Sequence, residues 1–228
     1  MYRYFIKRLL DIIISLLVLI IFSPLLIVLT IVVTINMKGN PFFVQSRPGY
    51  KERIFKLIKY RSMTNERDKD GRLLSDEIRL TKFGKWLRST SLDELPEFIN
   101  ILKGDMSLIG PRPQLVKDMV FMSNEQRKRH TVKPGLSGLA QIKGRNNISW
   151  EGKLSTDLEY IKDISFINDL KIAFITIGKI IKKEDINQEE FATAEDLGDY
   201  LLRTNKITEK EYYEKINIVE LLLENRLC

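Results

Sequence analysis

The sequence predicts a mainly α-helical protein with a small β-hairpin, in which an N-terminal membrane helix–break–helix precedes a compact cytosolic α-rich domain. Residues 12–37 contain no charge and are nearly all apolar, later segments show helical patterning, and two apolar-rich runs at 41–47 and 53–61 flank a turn sequence. The expected organisation is a membrane segment at 1–38, a cytosolic body at 39–198 and a C-terminal helical extension at 199–228.

The membrane segment is predicted to be re-entrant. As one straight helix, residues 12–37 would reach about 39 Å, enough to cross a ~30 Å hydrocarbon core. Ser23 and Pro24 lie in its middle, and proline removes a backbone hydrogen bond, so the helix should break there. Basic residues flank both ends, which favours keeping both on the cytoplasmic side. A kinked spanning helix is the alternative.

Composition restricts the chemistry that the chain can perform. Its 228 residues include one Cys, at position 228, and one His, His130. This excludes an intrachain disulfide and a CxxC zinc site, and it makes a histidine-built metal centre improbable. What remains is carboxylate chemistry, with a metal that prefers oxygen ligands if a metal takes part. His130 is expected to be a structural or interfacial residue rather than a metal ligand.

The net charge of +7 is distributed unevenly. Residues 184–228 hold 12 acidic and 5 basic residues, a net of −7, so residues 1–183 carry +14. A cationic body suits nucleic acid, anionic lipid headgroups or a phosphorylated substrate.

Helices are expected along the body and in the extension. The body helices are expected at 81–87, 92–102, 114–129, 150–163 and 170–183. In the extension, Thr208 and Glu211 form a capping-box pattern at the start of a predicted helix of about 16 residues, which carries an apolar stripe along one face. Because such a stripe needs burial, we expect it to pack on cationic protein surface and to help hold a homodimer.

The loop sequence at 68–71, Asp-Lys-Asp-Gly, has two interpretations. It matches an ordinary Asp-Gly turn, which we favour. The alternative is a metal-binding Asp-x-Asp.

The densest group of chemically useful residues surrounds Asp93 and Glu94. These carboxylates begin a predicted helix, directly after a cation cluster that ends at Arg88. Ser91 and Glu94 also match a capping box, which would explain both by helix stability alone. It explains neither Asp93 nor the cations, whose field should hold both acids ionised. Two such carboxylates suit phosphoryl transfer, in which one attacks phosphorus and the other holds Mg²⁺.

Arg112 lies between two prolines in the sequence Gly-Pro-Arg-Pro at 110–113. The prolines fix the backbone on either side, so the guanidinium could meet a phosphate bidentately. Together, Arg112 and the carboxylates of Asp93 and Glu94 predict a binding site for an anionic phosphoester.

Seven segments resemble the bacterial sugar transferases, the monotopic polyprenyl-phosphate phosphoglycosyl transferases. The resemblance runs in order from about residue 3 to about residue 196. The segments are KRxxD at 7–11, SP at 23–24, FKLIKYRSM at 55–63, RSTSLDELP at 88–96, NILKGDMS at 100–107, GPRP at 110–113 and VKPG at 132–135.

The resemblance implies that a nucleoside-diphosphate sugar, usually UDP-linked, reacts with undecaprenyl phosphate to give a polyprenyl-diphospho-sugar and UMP. Asp93 matches the nucleophile, which expels UMP and carries an aspartyl-phosphosugar intermediate. Glu94 matches the partner acid, a Mg²⁺ ligand or the group that assists the second step. Lys59, Arg88 and Arg112 match basic positions that hold substrate phosphates.

The resemblance also implies a place in the cell. It implies a re-entrant helix broken at Ser23 and Pro24, with Asp11 contacting Arg8 or a neighbouring cation at the interface, and amphipathic helices against membrane lipid. The expected location is the bacterial inner (cytoplasmic) membrane, with the catalytic domain facing the cytoplasm.

The C-terminal part of the chain suggests the substrate sugar and differs from the family pattern in two places. Residues 144–150, GRNNISW, resemble small members that load bacillosamine-type acetamido sugars, which implies an N-acetylated amino sugar. Lys143 stands where Asn is expected, and the residues from about 199 have no match.

Two other classes of function are alternatives. A membrane-tethered nucleic-acid binder would use the cationic body, and a non-catalytic membrane scaffold would use the anchor and the acidic extension. Neither gives a role to Asp93, Glu94 and Arg112, so we expect an enzyme without a nucleic-acid partner.

Overall fold

The computed structural model describes residues 1–144, 148–182 and 195–224, which are mainly helical with two small sheets. The helices are α1 Lys7–Ile21, α2 Ser23–Met37, α3 Asp76–Arg79, α4 Lys82–Ser89, α5 Glu97–Lys103, α6 Val116–Phe121, α7 Asn124–Arg127, α8 Leu139–Lys143, α9 Trp150–Lys162, α10 Phe166–Lys182, α11 Leu197–Arg203 and α12 Glu209–Glu224. The strands are β1 Phe42–Pro48, β2 Ile54–Tyr60, β3 Ser107–Ile109 and β4 Gly135–Ser137. The predicted mainly α-helical class with one antiparallel hairpin, β1–β2, is confirmed.

The N-terminal helix breaks where the sequence predicts. α1 ends at Ile21, α2 begins at Ser23, and the two segments are bent by 66°. Pro24 lies in the first turn of α2, where its missing N–H costs nothing, and the Ser23 hydroxyl donates to the Ile20 carbonyl. Among the described helices none is by itself long and apolar enough to cross a membrane, although the bent pair together meets that length and composition.

Polar contacts from α1 fasten this bent pair to the body. Arg8 donates from Nη1 and Nη2 to the carbonyls of Ile101 and Leu102 in the last turn of α5, where a cation is favoured by the helix dipole. Asp11 is buried and accepts from the Ser107 hydroxyl and the Leu108 backbone N–H. Asp11 and Arg8 therefore form no direct ion pair in the described part of the chain, and the expected interaction of Asp11 with Arg8 or a neighbouring cation is the longer-range attraction of its charge to those of Lys7 and Arg8.

The first core lies between α2, the hairpin and the helices around residue 90. Leu29 and Val33 of α2 pack with Tyr60 of β2 and Leu87 of α4. Asn100 of α5 joins the hairpin by accepting from the Ile58 N–H at 3.0 Å and donating to the Lys56 carbonyl at 2.8 Å. These contacts place the end of β2 against the turn that precedes α5.

Two long helices predicted from the sequence are interrupted in the structure. In place of a helix over 92–102, a 3₁₀ turn at Leu92–Glu94 precedes α5, because Pro96 cannot continue the hydrogen-bond ladder. In place of a helix over 114–129, α6 and α7 are separated near Ser123, whose hydroxyl caps α7 by accepting from the Gln126 N–H. The helices expected at 81–87 and 150–163 are confirmed, and the one expected at 170–183 begins earlier, at Phe166.

Two glycines allow the short parallel sheet β3–β4 to form. A Cβ at Gly110 would lie 2.6 Å from the Lys133 carbonyl oxygen, and one at Gly135 would lie 2.1 Å from the Gly110 nitrogen. The Gly-Pro-Arg-Pro segment can therefore approach the 133–135 segment only without side chains at these positions. The 68–71 loop is confirmed as a turn, with the Gly71 N–H donating to the Asp68 carbonyl.

The extension is helical and packs on its own body. Thr208 and Glu211 form the predicted capping box, and α12 follows for 16 residues. Its apolar stripe contacts α6, where Val219 packs with Val116 and Met119. α11 begins at Leu197, two residues before the predicted start of the extension.

We expect Val219→Asp to destabilise the protein by more than about 2 kcal/mol, because it buries a carboxylate between apolar side chains. The neighbouring Ile218, which is 47% exposed, provides the matched control. Thermal unfolding should show a loss of several degrees for Val219→Asp and little change for Ile218→Asp. Equal melting temperatures for the two variants would show that α12 does not pack as described.

Candidate active site

Asp93 and Glu94 lie in the 3₁₀ turn between α4 and α5, at the centre of a cluster of charges. Ser91 has a left-handed backbone with φ of 54° and makes no side-chain cap, so the alternative capping-box interpretation is wrong. Both carboxylates are instead directed by the turn toward cations from other segments. Asp93 is 9% exposed.

Glu94 bridges two of the three predicted phosphate-binding cations. Its Oε1 accepts from Lys59 Nζ at 2.8 Å and from Arg112 Nη2 at 2.8 Å. Lys59 comes from the end of β2, whereas Arg112 comes from the segment after β3. The Arg112 side chain is 43% exposed, so its guanidinium also faces solvent, where a substrate phosphate can reach it.

Arg88, the third predicted cation, lies on α4. Its Nε donates to the Ser62 hydroxyl at 2.8 Å. Its positive charge lowers the pKa of Asp93, which places it in the electrostatic surroundings of that carboxylate. The structure thus brings together all five residues predicted from the sequence for this site.

The pKa values of the two acids are shifted in opposite directions. Burial, together with the charge of Glu94, raises the pKa of Asp93 to about 6. Burial also opposes the charge of Glu94, but Lys59 and Arg112 outweigh it and hold the pKa of Glu94 well below its usual range. The cations were expected to hold both acids ionised, but their effect exceeds that of burial only at Glu94. A carboxylate with a pKa near 6 is still about nine-tenths ionised at pH 7 and is more basic than an exposed aspartate.

Glu97 is a site residue that sequence reasoning missed. Its carboxylate is buried and lies 2.9 Å from Lys59 Nζ, so Lys59 is shared between Glu94 and Glu97. Burial and the charge of Glu94 raise the pKa of Glu97 to about 7, although Lys59 acts in the opposite direction. The one signal in the sequence is that an acidic residue stands between Pro96 and the apolar Phe98, at the start of α5, where an apolar side chain would be the usual one to be buried.

Asp93 and Glu94 offer the carboxylate oxygens that Mg²⁺ prefers as ligands. Within the described ranges no group of three or more His, Cys, Asp or Glu side chains is placed to hold a metal ion. Mg²⁺ does not require such a cage, since it binds through one or two carboxylates, water and substrate phosphates. The adjacent carboxylates of Asp93 and Glu94 fit that mode of binding.

The arrangement can perform phosphoryl transfer. A basic, buried carboxylate, Asp93, lies beside cations that can neutralise the charge on a phosphate, while the neighbouring acid keeps those cations in place. His130 is buried away from this chemistry, and desolvation together with Arg129 lowers its pKa to about 4, which fits the expected structural role.

Comparison with known proteins identifies relatives along most of the chain. It is 46% identical over 189 residues to an uncharacterized sugar transferase, EpsL, of Bacillus subtilis (strain 168), which covers 83% of this chain and 94% of that protein. It is 45% identical over 193 residues to the UDP-glucose:undecaprenyl-phosphate glucose-1-phosphate transferase of Klebsiella pneumoniae, covering 76% of this chain and 39% of that protein.

A third relative is named for a different sugar. It is the UDP-N-acetylgalactosamine-undecaprenyl-phosphate N-acetylgalactosaminephosphotransferase of Aeromonas hydrophila, 36% identical over 188 residues, which cover 78% of this chain and 44% of that protein. The chain therefore spans nearly all of the Bacillus relative but less than half the length of the other two.

The sequence model of one protein family, the bacterial sugar transferases, matches residues 2–183 of the chain. The match ends before α11, so α11 and α12 lie beyond it. It includes the N-terminal helix pair, the hairpin and every residue of the charge cluster. The resemblance on which an enzyme is predicted is thereby confirmed: this chain belongs to the bacterial sugar transferase family.

Proposed function

We propose that the protein transfers a sugar 1-phosphate from a UDP-sugar to undecaprenyl phosphate, giving a polyprenyl-diphospho-sugar and UMP. The observation that carries the proposal is the pairing of a basic, buried Asp93 with a Glu94 that is held by Lys59 and Arg112. The named activities of the Klebsiella and Aeromonas relatives support the same reaction class.

In the proposed first step, an Asp93 carboxylate oxygen attacks the β-phosphorus of the UDP-sugar. The bond from that phosphorus to the bridging oxygen breaks, and UMP leaves with the electron pair. In the second step, a phosphate oxygen of undecaprenyl phosphate attacks the aspartyl phosphosugar, which releases the product and restores the carboxylate. Lys59, Arg88 and Arg112 neutralise the phosphate charge, as a double-displacement reaction of anions requires.

Mg²⁺ is the proposed cofactor, with Glu94 as its protein ligand beside Asp93. When bound, it would neutralise charge on the phosphates and on the departing UMP. Glu94 meanwhile keeps Lys59 and Arg112 close to the position that the phosphates take.

We propose an N-acetylated amino sugar as the sugar carried. The Aeromonas relative supports this choice by its name, whereas the Klebsiella relative is named for glucose. Of the motif 144–150 that suggested it, residues 145–147 lie outside the described residues.

The test is a UMP-release assay with purified protein, undecaprenyl phosphate, Mg²⁺ and the UDP-linked forms of glucose, galactose, N-acetylglucosamine and N-acetylgalactosamine. Release with an acetamido sugar and little with glucose would support the whole proposal. Release with glucose or galactose alone would contradict the amino-sugar substrate and leave the reaction class standing. A chain that releases no UMP with any of these and shifts unrelated DNA would support the nucleic-acid binder.

We also propose that α1 and α2 form a re-entrant hairpin in the inner membrane, with the body on the cytoplasmic side. The 66° bend supports this, as do large apolar side chains that face outward from both helices, among them Ile20 at 60% and Ile35 at 70% exposure. α10 supports contact with the same lipid surface, since Ile167, Phe174 and Ile181 are more than two-thirds exposed.

Cysteines introduced at Tyr4 and Gly39, in a chain whose Cys228 is replaced by serine, are expected to resist an impermeant thiol reagent added to intact cells. Both residues are exposed on the protein, so both should react once the cells are lysed. Labelling of one position alone in intact cells would show a spanning helix. Ser23→Ala with Pro24→Leu should shift the chain toward that pattern, because it restores a continuous helix.

The homodimer is a further part of the proposal. The outward face of α12 supports it, since Tyr213 and Leu221 remain 64% and 58% exposed. Light scattering in detergent tests it, and a single-chain mass would contradict it.

A further inference from the structure

Arg129 and Asp157 form a fully buried ion pair behind the proposed site. Arg129 lies in the 3₁₀ turn Lys128–Thr131 and Asp157 in α9, and their side chains are 1% and 4% exposed. Arg129 Nε and Nη2 lie 2.9 Å and 2.7 Å from the same carboxylate oxygen, Oδ2. Such a pair contributes little net stability, because apolar residues of similar size are often as stable in its place.

This ion pair ends on the backbone of Arg112. Arg129 Nη2 also donates to the Arg112 carbonyl at 2.6 Å, so the guanidinium holds Asp157 on one side and the active-site segment on the other. The carboxylate of Asp157 restricts the orientation of the planar guanidinium, which leaves one N–H directed at this carbonyl.

The carbonyls before and after this one are held as well. The Pro111 carbonyl accepts from the Gly135 N–H at 2.9 Å, and the Pro113 carbonyl accepts from Arg47 Nη1 at 3.2 Å. Three consecutive carbonyls are therefore fixed to the body, and both prolines restrict the backbone further. The Arg112 side chain leaves this immobilised backbone and reaches Glu94 Oε1 at 2.8 Å.

We infer that Arg129, oriented by Asp157, is a positioning residue for Arg112. It fixes the Arg112 backbone so that the guanidinium lies on Glu94 and facing the diphosphate of the nucleotide substrate. This inference rests on the proposed function, since it assigns Arg112 to a substrate phosphate. A shift of the order of 1 Å in such a group can reduce catalysis by about a hundredfold.

The test replaces both charges together, because removing one partner would leave a buried unpaired charge and unfold the protein for an unrelated reason. Arg129→Met with Asp157→Val is expected to keep the melting temperature within a few degrees of wild type. The control is Lys128→Gln with Glu125→Gln, which removes an exposed ion pair from the adjoining turn. We expect the buried replacement to lower the affinity for UDP and the kcat/KM of UMP release about tenfold or more, and the control to change neither.

A double-mutant cycle separates positioning from general support of the fold. If Arg129 acts through Arg112, the Arg129→Met and Asp157→Val changes should have almost no further effect on UDP affinity once Arg112→Ala is present. Effects that simply multiply would contradict the inference, because they would show two independent contributions. UDP binding is the readout of choice since it remains measurable in slow variants.

Each outcome addresses a distinct claim. If the Arg129→Met, Asp157→Val variant binds UDP as tightly as the wild-type chain does, the inference is contradicted. The proposed function would still stand in that case, provided that the wild-type chain releases UMP. A wild-type chain that neither binds UDP nor releases UMP would contradict both. If the double replacement does not fold, Arg129→Lys retains the charge but loses the planar fork, and undiminished UDP affinity in that variant would likewise contradict the inference.

Discussion

Asp93→Asn is expected to reduce UMP release at least about a thousandfold, equivalent to ~4 kcal/mol of transition-state stabilisation. A carboxamide has no anionic oxygen with which to attack phosphorus, so neither proposed step can proceed through it. The fold should survive, because the amide has nearly the same size and removes a charge whose burial is unfavourable, as the raised pKa of Asp93 shows. Initial rates of UMP release and the melting temperature, measured side by side, check both parts.

Asp70→Asn is the matched control for this variant. Asp70 lies in the exposed turn at 68–71, so the same change there should leave the rate within about twofold of wild type, as is usual for surface positions. If Asp70→Asn abolished activity and Asp93→Asn did not, the rejected Asp-x-Asp interpretation would return and the assignment of the nucleophile would be wrong.

Glu94→Gln is expected to slow UMP release about a hundredfold and to weaken its dependence on Mg²⁺. The charge of Glu94 is what holds Lys59 and Arg112 together, each at 2.8 Å from the same oxygen. With a neutral amide in its place the two cations repel each other, and the position of the phosphate-binding guanidinium is lost. Steady-state rates over a series of Mg²⁺ concentrations measure both effects.

Glu97→Gln distinguishes this role from a general need for negative charge. Glu97 contacts the same Lys59 at 2.9 Å, but in the described part of the chain it forms no hydrogen bond or close ion pair with Arg112 and acts on it only through longer-range charge. Its raised pKa of about 7 means that it is already partly protonated near neutral pH. We expect Glu97→Gln to reduce activity much less than Glu94→Gln does. An equal or greater loss in Glu97→Gln would contradict the assignment of Glu94 as the bridging acid.

Local sequence signals predicted the elements that short-range interactions determine. Apolar-rich runs around a turn predicted β1 and β2, and the capping box at Thr208 predicted the start of α12, because both depend on residues a few positions apart. The break at Ser23 and Pro24 was predictable for the same reason. The prediction of an uninterrupted helix at 92–102 was wrong because Pro96 cannot continue the hydrogen-bond ladder, so a separate 3₁₀ turn at Leu92–Glu94 precedes α5.

The partners of the site residues could not be predicted in this way. Lys59 and Glu94 are 35 positions apart in the chain, and Arg112 is 18 beyond Glu94. The motifs identified which residues matter, but only the packing of β2 against the turn before α5 shows that one carboxylate holds two cations. The raised pKa of Asp93 likewise follows from burial. Arg129 and Asp157, at 28 positions' separation, gave no motif at all.

Trapping the covalent adduct on Asp93 would show directly that this carboxylate is the nucleophile. Protein is incubated with Mg²⁺ and a UDP-sugar radiolabelled in the β-phosphate, without undecaprenyl phosphate, and the denatured chain is digested and mapped. If Asp93 is the nucleophile, we expect release of one UMP per active site and a hydroxylamine-labile label on the peptide that contains Asp93, absent from Asp93→Asn. UMP release that occurs only when undecaprenyl phosphate is added, with no label on the protein, would contradict it.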